Sequence, residues 1–297
     1  MVVNKRMNIY EEILYQVYGY KLDDLNEKNS KNIKECIVEL RKSYRNDTPI
    51  TKYSQDDIRK AYMLAYYPNY AKLAYDITSK YILKHIDLEV LGKALNIVFW
   101  GAGPAAEVYG FCKALDNLKL NKRVRISISD LEKQWKEQRE ITKKLLRNLE
   151  NIKASNFKDL SGCDLTYNCK NICFNWTSCE KTTFNSDIYF MQNCINHMSS
   201  DIKLYHNLFK RIELMKKGAL FVIIDLNYEN VKDTVHKLID KSSNIADLIE
   251  GNIEFAPNIS RFNYEIPDNA KKYIFTSENF LYPKKNTNYY FVVLKRR

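Results

Sequence analysis

The stretch NIVFWGAGPAAEVYGF, Asn96 to Phe111, constrains the fold more than any other part of the chain. NIVFW is an apolar run suited to a buried strand. Gly101 and Gly103 follow it directly, and then Pro104, two alanines and a helix-like stretch. Glycine tolerates positive φ and lets a ligand approach the backbone closely. A helix behind such a turn offers free N–H groups to a carboxylate or phosphate. Read strictly, GAGPAA fits the nucleotide-binding fingerprint G-x-G-x-x-G/A. The turn therefore reads as a cofactor cradle, with a tight turn that holds no ligand as the plain alternative.

Downstream, strand-like and helix-like segments alternate. VRISIS, SDIYFMQNC and ALFVIID read as strands, while AAEVYGFCKALDNL, LEKQWKEQREITKKLLRNL, DIKLYHNLFKRIELM and NVKDTVHKLIDKSSNIADLI read as helices. This alternation predicts an α/β fold: a Rossmann-like sheet, mainly parallel, with helices on both faces. KKYIFTS and NYYFVVLKR read as a closing strand pair, one member running antiparallel. Residues 1–95 read as a helical cap and 96–297 as the cofactor-binding domain. Within the cap, Ser54 is the expected N-cap of a helix carrying Asp56 and Asp57 in its first turn. Pro68 is expected to end or kink that helix.

Flavin and nicotinamide domains usually place the glycine turn near the chain start, whereas about 95 helical residues precede it here. In this context the chain resembles the class I S-adenosylmethionine-dependent methyltransferases. Their strand, G-x-G turn and acidic residue at the turn–helix junction are matched by Gly101, Ala102, Gly103 and Glu107. Their acidic residue at the tip of the second strand, which binds the ribose hydroxyls, is matched by Asp130. Asp130 also suits the N-cap ahead of LEKQW. The fourth and fifth strands are matched by SDIYFMQNCINHM and by ALFVIID behind Gly218. The resemblance implies S-adenosylmethionine as cofactor. Upstream, ITKYSQDDIRKAYMLAYYPNYAKLAYDI is similar to the lead-in of the mitochondrial small-ribosomal-subunit assembly methyltransferase-like family. That family's turn reads G-A-G-P-G, whereas Ala105 stands at the last position here. Its downstream cysteine cluster has no counterpart at that place in this chain.

Ligands of open α/β sheets bind beyond the carboxyl ends of the strands. That places Gln192 and Asn193 beside the cofactor, with Asn193 and His197 as the candidate catalytic pair. Methyl transfer needs mainly in-line positioning of a nucleophile. His197 suits a general base or a polar residue at a helix start. Asp225 suits an acceptor contact or a cap of the strand end. Among Tyr62, Tyr66, Tyr67, Tyr70 and Tyr75, packing over the cofactor mouth is expected, with Tyr66 reaching the cofactor. The [DN]-P-P-[YFW] signature of amino-methyltransferases is absent.

Net charge is +11, which suits RNA or a ribonucleoprotein as partner. An AT-rich coding bias, with many Lys, Asn, Ile and Tyr, is the other source of such a balance. If the charge serves RNA, Arg59, Lys60, Lys122, Arg123, Arg125 and Lys295 to Arg297 should gather at the cofactor mouth. A small-molecule acceptor is the alternative, as are a cofactor-binding assembly or interaction factor without methyl transfer and a flavin or nicotinamide oxidoreductase. No apolar run approaches the roughly 18 residues that span a bilayer, and MVVNKRMNIYEEIL has no secretory h-region. A cytoplasmic protein without a membrane partner is expected. Cys163, Cys169, Cys173 and Cys179 have spacings C-x5-C-x3-C-x5-C. Without a C-x2-C pair they read as buried thiols of the third strand, with a zinc or iron–sulfur site as the alternative.

Overall fold

The structure, a computed structural model, describes residues 8–44, 53–86, 94–119, 122–130, 133–159, 185–198, 204–251, 258–261, 265–278, 280–282, 284 and 286–297. Helices α1 (Ile9–Ile13), α2 (Glu27–Ser43), α3 (Asp56–Ala65) and α4 (Tyr67–Ile77) precede the first strand. Pro68 sits in the first turn of α4, where its missing N–H costs little. The break between α3 and α4 falls at Tyr66, as that proline demands. Gln55, not Ser54, precedes α3, and it makes no side-chain cap. Ser54 instead lends its carbonyl to Arg59 at 3.0 Å.

The sheet holds β1 (Ala94–Trp100), β2 (Lys122–Ser129), β3 (Ile152–Asp159), β4 (Ile188–Gln192), β5 (Leu220–Leu226), β6 (Ala246–Gly251), β7 (Asn258–Arg261) and β8 (Asn286–Arg296). Its order is β3-β2-β1-β4-β5-β8-β6, with β7 also paired to β8. The first five strands are mutually parallel. β8 runs antiparallel to β5 on one side and to β6 and β7 on the other. The expected reversed strand is thus β8, but its partner is not KKYIFTS. That segment contributes the end of a helix, Asp268–Tyr273, and the turn after it. NIADLI is likewise not helical. Its last four residues open β6, because Ala246 to Leu248 find backbone partners on β8. The third strand is Ile152–Asp159, upstream of the cysteine run. Cys163, Cys169, Cys173 and Cys179 lie outside the described residues.

Alternation along β1 decides the two faces. Leu95, Ile97 and Phe99 join one hydrophobic cluster, and Val98 and Trp100 join another. The first cluster packs α4 and α5 (Ala106–Asn117) on one face. Leu73, Ala74 and Ile77 of α4 belong to it, so the last cap helix is part of the sheet's core. A Cβ at Gly110 of α5 would stand 2.1 Å from the Ala71 carbonyl oxygen, so only glycine admits this close crossing. α6 (Lys136–Arg147) follows β2 on the same side. The second cluster packs the opposite face against α7 (Ile195–Met198), α8 (Leu204–Leu214) and α9 (Glu229–Ser242). No helix among the described residues is long and apolar enough to cross a membrane.

Candidate cofactor and acceptor site

The glycine turn is held in shape by its neighbours. Gly101 and Gly103 have φ of 66° and 50°, and Ala105 has φ of 70° at the N-cap of α5. An L-residue in that left-handed region costs about 1–2 kcal/mol, so Ala105 carries strain that a glycine there would not. Gly101 N–H donates to the Ser129 carbonyl at 2.7 Å, and Ala105 N–H to the Ala102 carbonyl at 2.6 Å. Asp130, at the tip of β2, accepts the Gly103 N–H on Oδ2 at 2.6 Å. The acid singled out for ribose therefore also shapes the turn.

Two residues that the sequence did not single out complete the grip. Arg139 of α6, 1% exposed, donates from Nε to the Gly103 carbonyl at 2.7 Å. Thr142 donates to the Pro104 carbonyl at 2.7 Å and meets the Tyr67 hydroxyl at 2.9 Å. A signal for them exists. Trp135, just before α6, recurs at helical spacing with Gln138, Arg139 and Thr142, which share the buried side of α6 with Ile141 and Leu145. Polar groups on a buried stripe mark a stripe that touches backbone or ligand.

Glu107 lies in the first turn of α5, 4% exposed. Burial pushes its carboxyl well above the usual range, its own backbone N–H pulls it down, the nearby Asp130 charge adds to the rise, and Arg139 opposes it. Its Oε1 is buried without a hydrogen-bond partner among the described residues. At the end of β4, Gln192 donates Nε2 to the Tyr70 carbonyl at 3.0 Å, which leaves Oε1 buried and unpartnered. Asn193, left-handed at φ 52°, has a buried Oδ1 in the same condition. Desolvated acceptors without donors are costly, and they suit a ligand that brings N–H or O–H groups.

Asp225 is fully buried at the carboxyl end of β5. Its Oδ2 accepts the N–H groups of Cys194, Ile195 and Asn196 at 3.0, 2.8 and 3.4 Å, and Oδ1 accepts Leu226 N–H at 2.7 Å. Asp225 thus ties the end of β5 to the start of α7, a role not among the two expected of it. Burial raises its pKa to about 7 against those four donors. His197 lies on α7, and its side chain is outside the described residues.

Aromatic side chains roof this end of the sheet. Tyr66 stacks on Tyr70 at 5.7 Å, and Tyr62 lies 5.5 Å from Tyr66 and 5.3 Å from Trp135. The Trp135 indole would lie 3.7 Å from a Cβ at Gly103. Burial pushes the Tyr66 phenol up to about 12. Of the basic residues expected here, Arg59 and Lys60 of α3 stand beside the roof but are paired with Asp56, and Tyr53 packs on Trp135 at 5.1 Å, while the others stand elsewhere. Arg59 is buried against the Tyr53 carbonyl at 2.7 Å and Asp56 at 3.0 Å. Lys122, Arg123 and Arg125 start β2, and Lys295 pairs in register with Leu220 at the start of β5. Those are the amino ends of the parallel strands, opposite the glycine turn, because an antiparallel β8 ends where β5 begins.

No family model and no curated protein sequence matches the chain. Solved structures do resemble it. Precorrin-6y C5,15-methyltransferase from Geobacter metallireducens is 11% identical, with a TM-score of 0.39 over 84% of this chain and 94% of that one. A Listeria monocytogenes protein described as a class I S-adenosylmethionine-dependent methyltransferase is 10% identical, with a TM-score of 0.44 over 97% and 79%. The DszA carbon methyltransferase is 11% identical, with a TM-score of 0.44 over 89% of this chain and 65% of that one.

Proposed function

We propose that the chain is an S-adenosylmethionine-dependent methyltransferase whose cofactor site is formed by Gly101, Ala102, Gly103, Glu107, Asp130, Gln192, Asn193 and Tyr66. One observation carries this reading. A left-handed two-glycine turn after β1 is tied to the acid at the tip of β2, in a sheet whose single reversed strand lies between β5 and its edge. The residues present fit the group: the buried acceptors Gln192 Oε1, Asn193 Oδ1 and Glu107 Oε1 await donors, and S-adenosylmethionine carries an ammonium, an amine and two ribose hydroxyls. When bound, it supplies a methyl group already activated on a sulfonium. The chain's own contribution is position. Asp130 fixes the turn and would hold the ribose hydroxyls, Asn193 would help orient the acceptor, and His197 would take the acceptor's proton.

The acceptor we favour is a small molecule, because tyrosines and Trp135 roof the site while Arg123, Arg125 and Lys295 sit at the other end of the sheet. A ribonucleoprotein acceptor has the net charge of +11 and the ribosome-assembly-like lead-in in its favour. Calorimetry with S-adenosylhomocysteine tests the cofactor. Asp130→Ala should weaken binding roughly ten- to a hundredfold, from a charge-assisted contact of about 1.5–3 kcal/mol, and Gly103→Asp should abolish it. Unchanged affinity in both folded variants would overturn the reading. RNA affinity across a salt series tests the acceptor. A slope of about 0.7 log units per phosphate contacted would make RNA the acceptor class, and a flat, weak profile leaves the small molecule.

A further inference from the structure

Four consecutive N–H groups after β4 are held by the end of β5. Asn193 donates to the Ile224 carbonyl at 2.9 Å, and Cys194, Ile195 and Asn196 donate to Oδ2 of the next residue, Asp225, at 3.0, 2.8 and 3.4 Å. The first N–H groups of a helix have no partners within it. Here a carboxylate 31 residues from Cys194 takes them, in charge-assisted bonds that are stronger than neutral ones. Oδ1 is fixed in turn by Leu226 N–H at 2.7 Å, so the carboxylate cannot rotate without losing donors.

This grip holds the part of the chain that meets the glycine turn. A Cβ at Gly101 would stand 2.3 Å from Cys194 Sγ, so the Cys194 side chain is packed directly on the turn. Asn193, first of the four, is left-handed at φ 52°, a conformation open to asparagine but uncommon. Its Oδ1 is buried without a partner among the described residues. The contacts run in series, from Asp225 to Cys194 N–H, from Cys194 Sγ to Gly101, and from Gly101 N–H to the Ser129 carbonyl at 2.7 Å, beside Asp130. Tyr70 of α4, Tyr228 before α9 and Tyr290 of β8 feel the Asp225 charge. Burial first, and that charge after it, push each phenol up, so none of the three ionises near neutral pH.

We propose that Asp225 is a positioning residue of the methyl-transfer site, which sets the gap between Asn193 and the glycine turn by pinning residues 194–196. This rests on the methyltransferase reading for the purpose of the site, whereas the link from Asp225 to Gly101 does not. Burial lifts the Asp225 carboxyl to about 7, so the grip is firmest above that pH, where the group is ionised. The test uses the full chain and two readouts. The first needs no ligand: the backbone amide NMR signals of Gly101, Cys194, Ile195 and Asn196 are followed from pH 5.5 to 8.5. All four should titrate with one midpoint near 7 in the wild type, and also in Glu107→Gln and His197→Gln, which remove the titratable side chains that α5 and α7 bring to the site. All four should be flat in Asp225→Asn. Cys194→Ala breaks the series in the middle, and serves if Asp225→Asn does not fold: residues 194–196 should still titrate and Gly101 should not. The second readout is calorimetry with S-adenosylhomocysteine. Asp225→Asn should bind at least tenfold more weakly at pH 8, with equal affinity at pH 6, whereas the wild type should lose at least fivefold between pH 8 and 6. A role in stability alone would leave the affinity of the folded variant unchanged. The proposal is overturned if Gly101 does not titrate in the wild type, if it titrates equally in Asp225→Asn or Cys194→Ala, or if Asp225→Asn binds as the wild type does. Should the amide signals behave as expected while S-adenosylhomocysteine fails to bind the wild type, the link stands and the methyltransferase reading falls.

Discussion

The two ends of the parallel strands are built on different principles. At the amino ends, charges are answered locally: Asp187 accepts Asn96 N–H at 2.7 Å and pairs with Lys216, and Arg297 pairs with Asp247. At the carboxyl ends, Gly101, Gly103, Ala105 and Asn193 are all left-handed, and Gln192 Oε1 and Asn193 Oδ1 have no partner among the described residues. Left-handed residues occur at both ends, Lys119 and Gly218 among them at the amino ends, but the unpartnered acceptors Gln192 Oε1 and Asn193 Oδ1 beside the glycine turn suit a ligand that answers them there. Solvated or paired charge at the other end needs no such account.

The sharpest way to break this comparison is Gly101→Val. A Cβ there would stand 2.3 Å from Cys194 Sγ, at a φ of 66°. Left-handed strain of about 1–2 kcal/mol and overpacking of about 1–3 kcal/mol together predict a loss of roughly 2–5 kcal/mol, read from urea denaturation. A loss under about 1 kcal/mol would mean that the turn is not under constraint.

Asp225 gives a pH test. Its folded pKa of about 7 lies above its unfolded value, so its contribution is complete below the unfolded pKa and is lost as pH rises through 7. Between pH 5 and 7.5 the wild type should lose on the order of 2–3 kcal/mol from this group. Asp225→Asn should lose correspondingly less over that interval. Parallel curves for the two proteins would show that the four N–H donors outweigh burial.

A smaller effect of opposite sign is expected at Ala105. Ala105→Gly relieves a φ of 70° and should raise stability by about 1 kcal/mol, since an alanine at positive φ is strained. A lowered melting temperature would contradict the strain. Smallest of all, Arg123→Glu combined with Arg125→Glu should change stability by no more than about 0.5 kcal/mol and leave S-adenosylhomocysteine affinity within twofold. Both residues are exposed at the far end of the sheet. A clear loss of affinity would mean that the two ends are coupled.

Much of the sheet was legible because its signals are local. The apolar run NIVFW, the paired glycines and Asp130 at the end of VRISIS are properties of short stretches, and a strand, a turn and a strand tip follow from them wherever they are packed. The helices that bury one stripe, such as α9 with Val231, Val235 and Leu238, are legible for the same reason. Gln192 and Asn193 were placed by the rule that ligands gather at strand carboxyl ends, and their unpartnered atoms appear where that rule points.

What only the tertiary structure decided depends on partners far along the chain. Ala246 to Leu248 became a strand instead of the end of a helix because β8, more than 40 residues later, offers its open edge. Asp225, which the sequence left between an acceptor contact and a strand-end cap, is tied to α7 by three N–H groups about 30 residues upstream. Arg139 and Trp135 look like ordinary residues of a charged helix until α6 is laid against the glycine turn. The distribution of the +11 charge is the plainest case. Composition sets its size, but the direction in which β8 enters the sheet puts Lys295 at the amino end of β5. A local pattern records which face a residue prefers to bury. Which distant group it meets there depends on register and on strand order, and those emerge only when the whole core is packed.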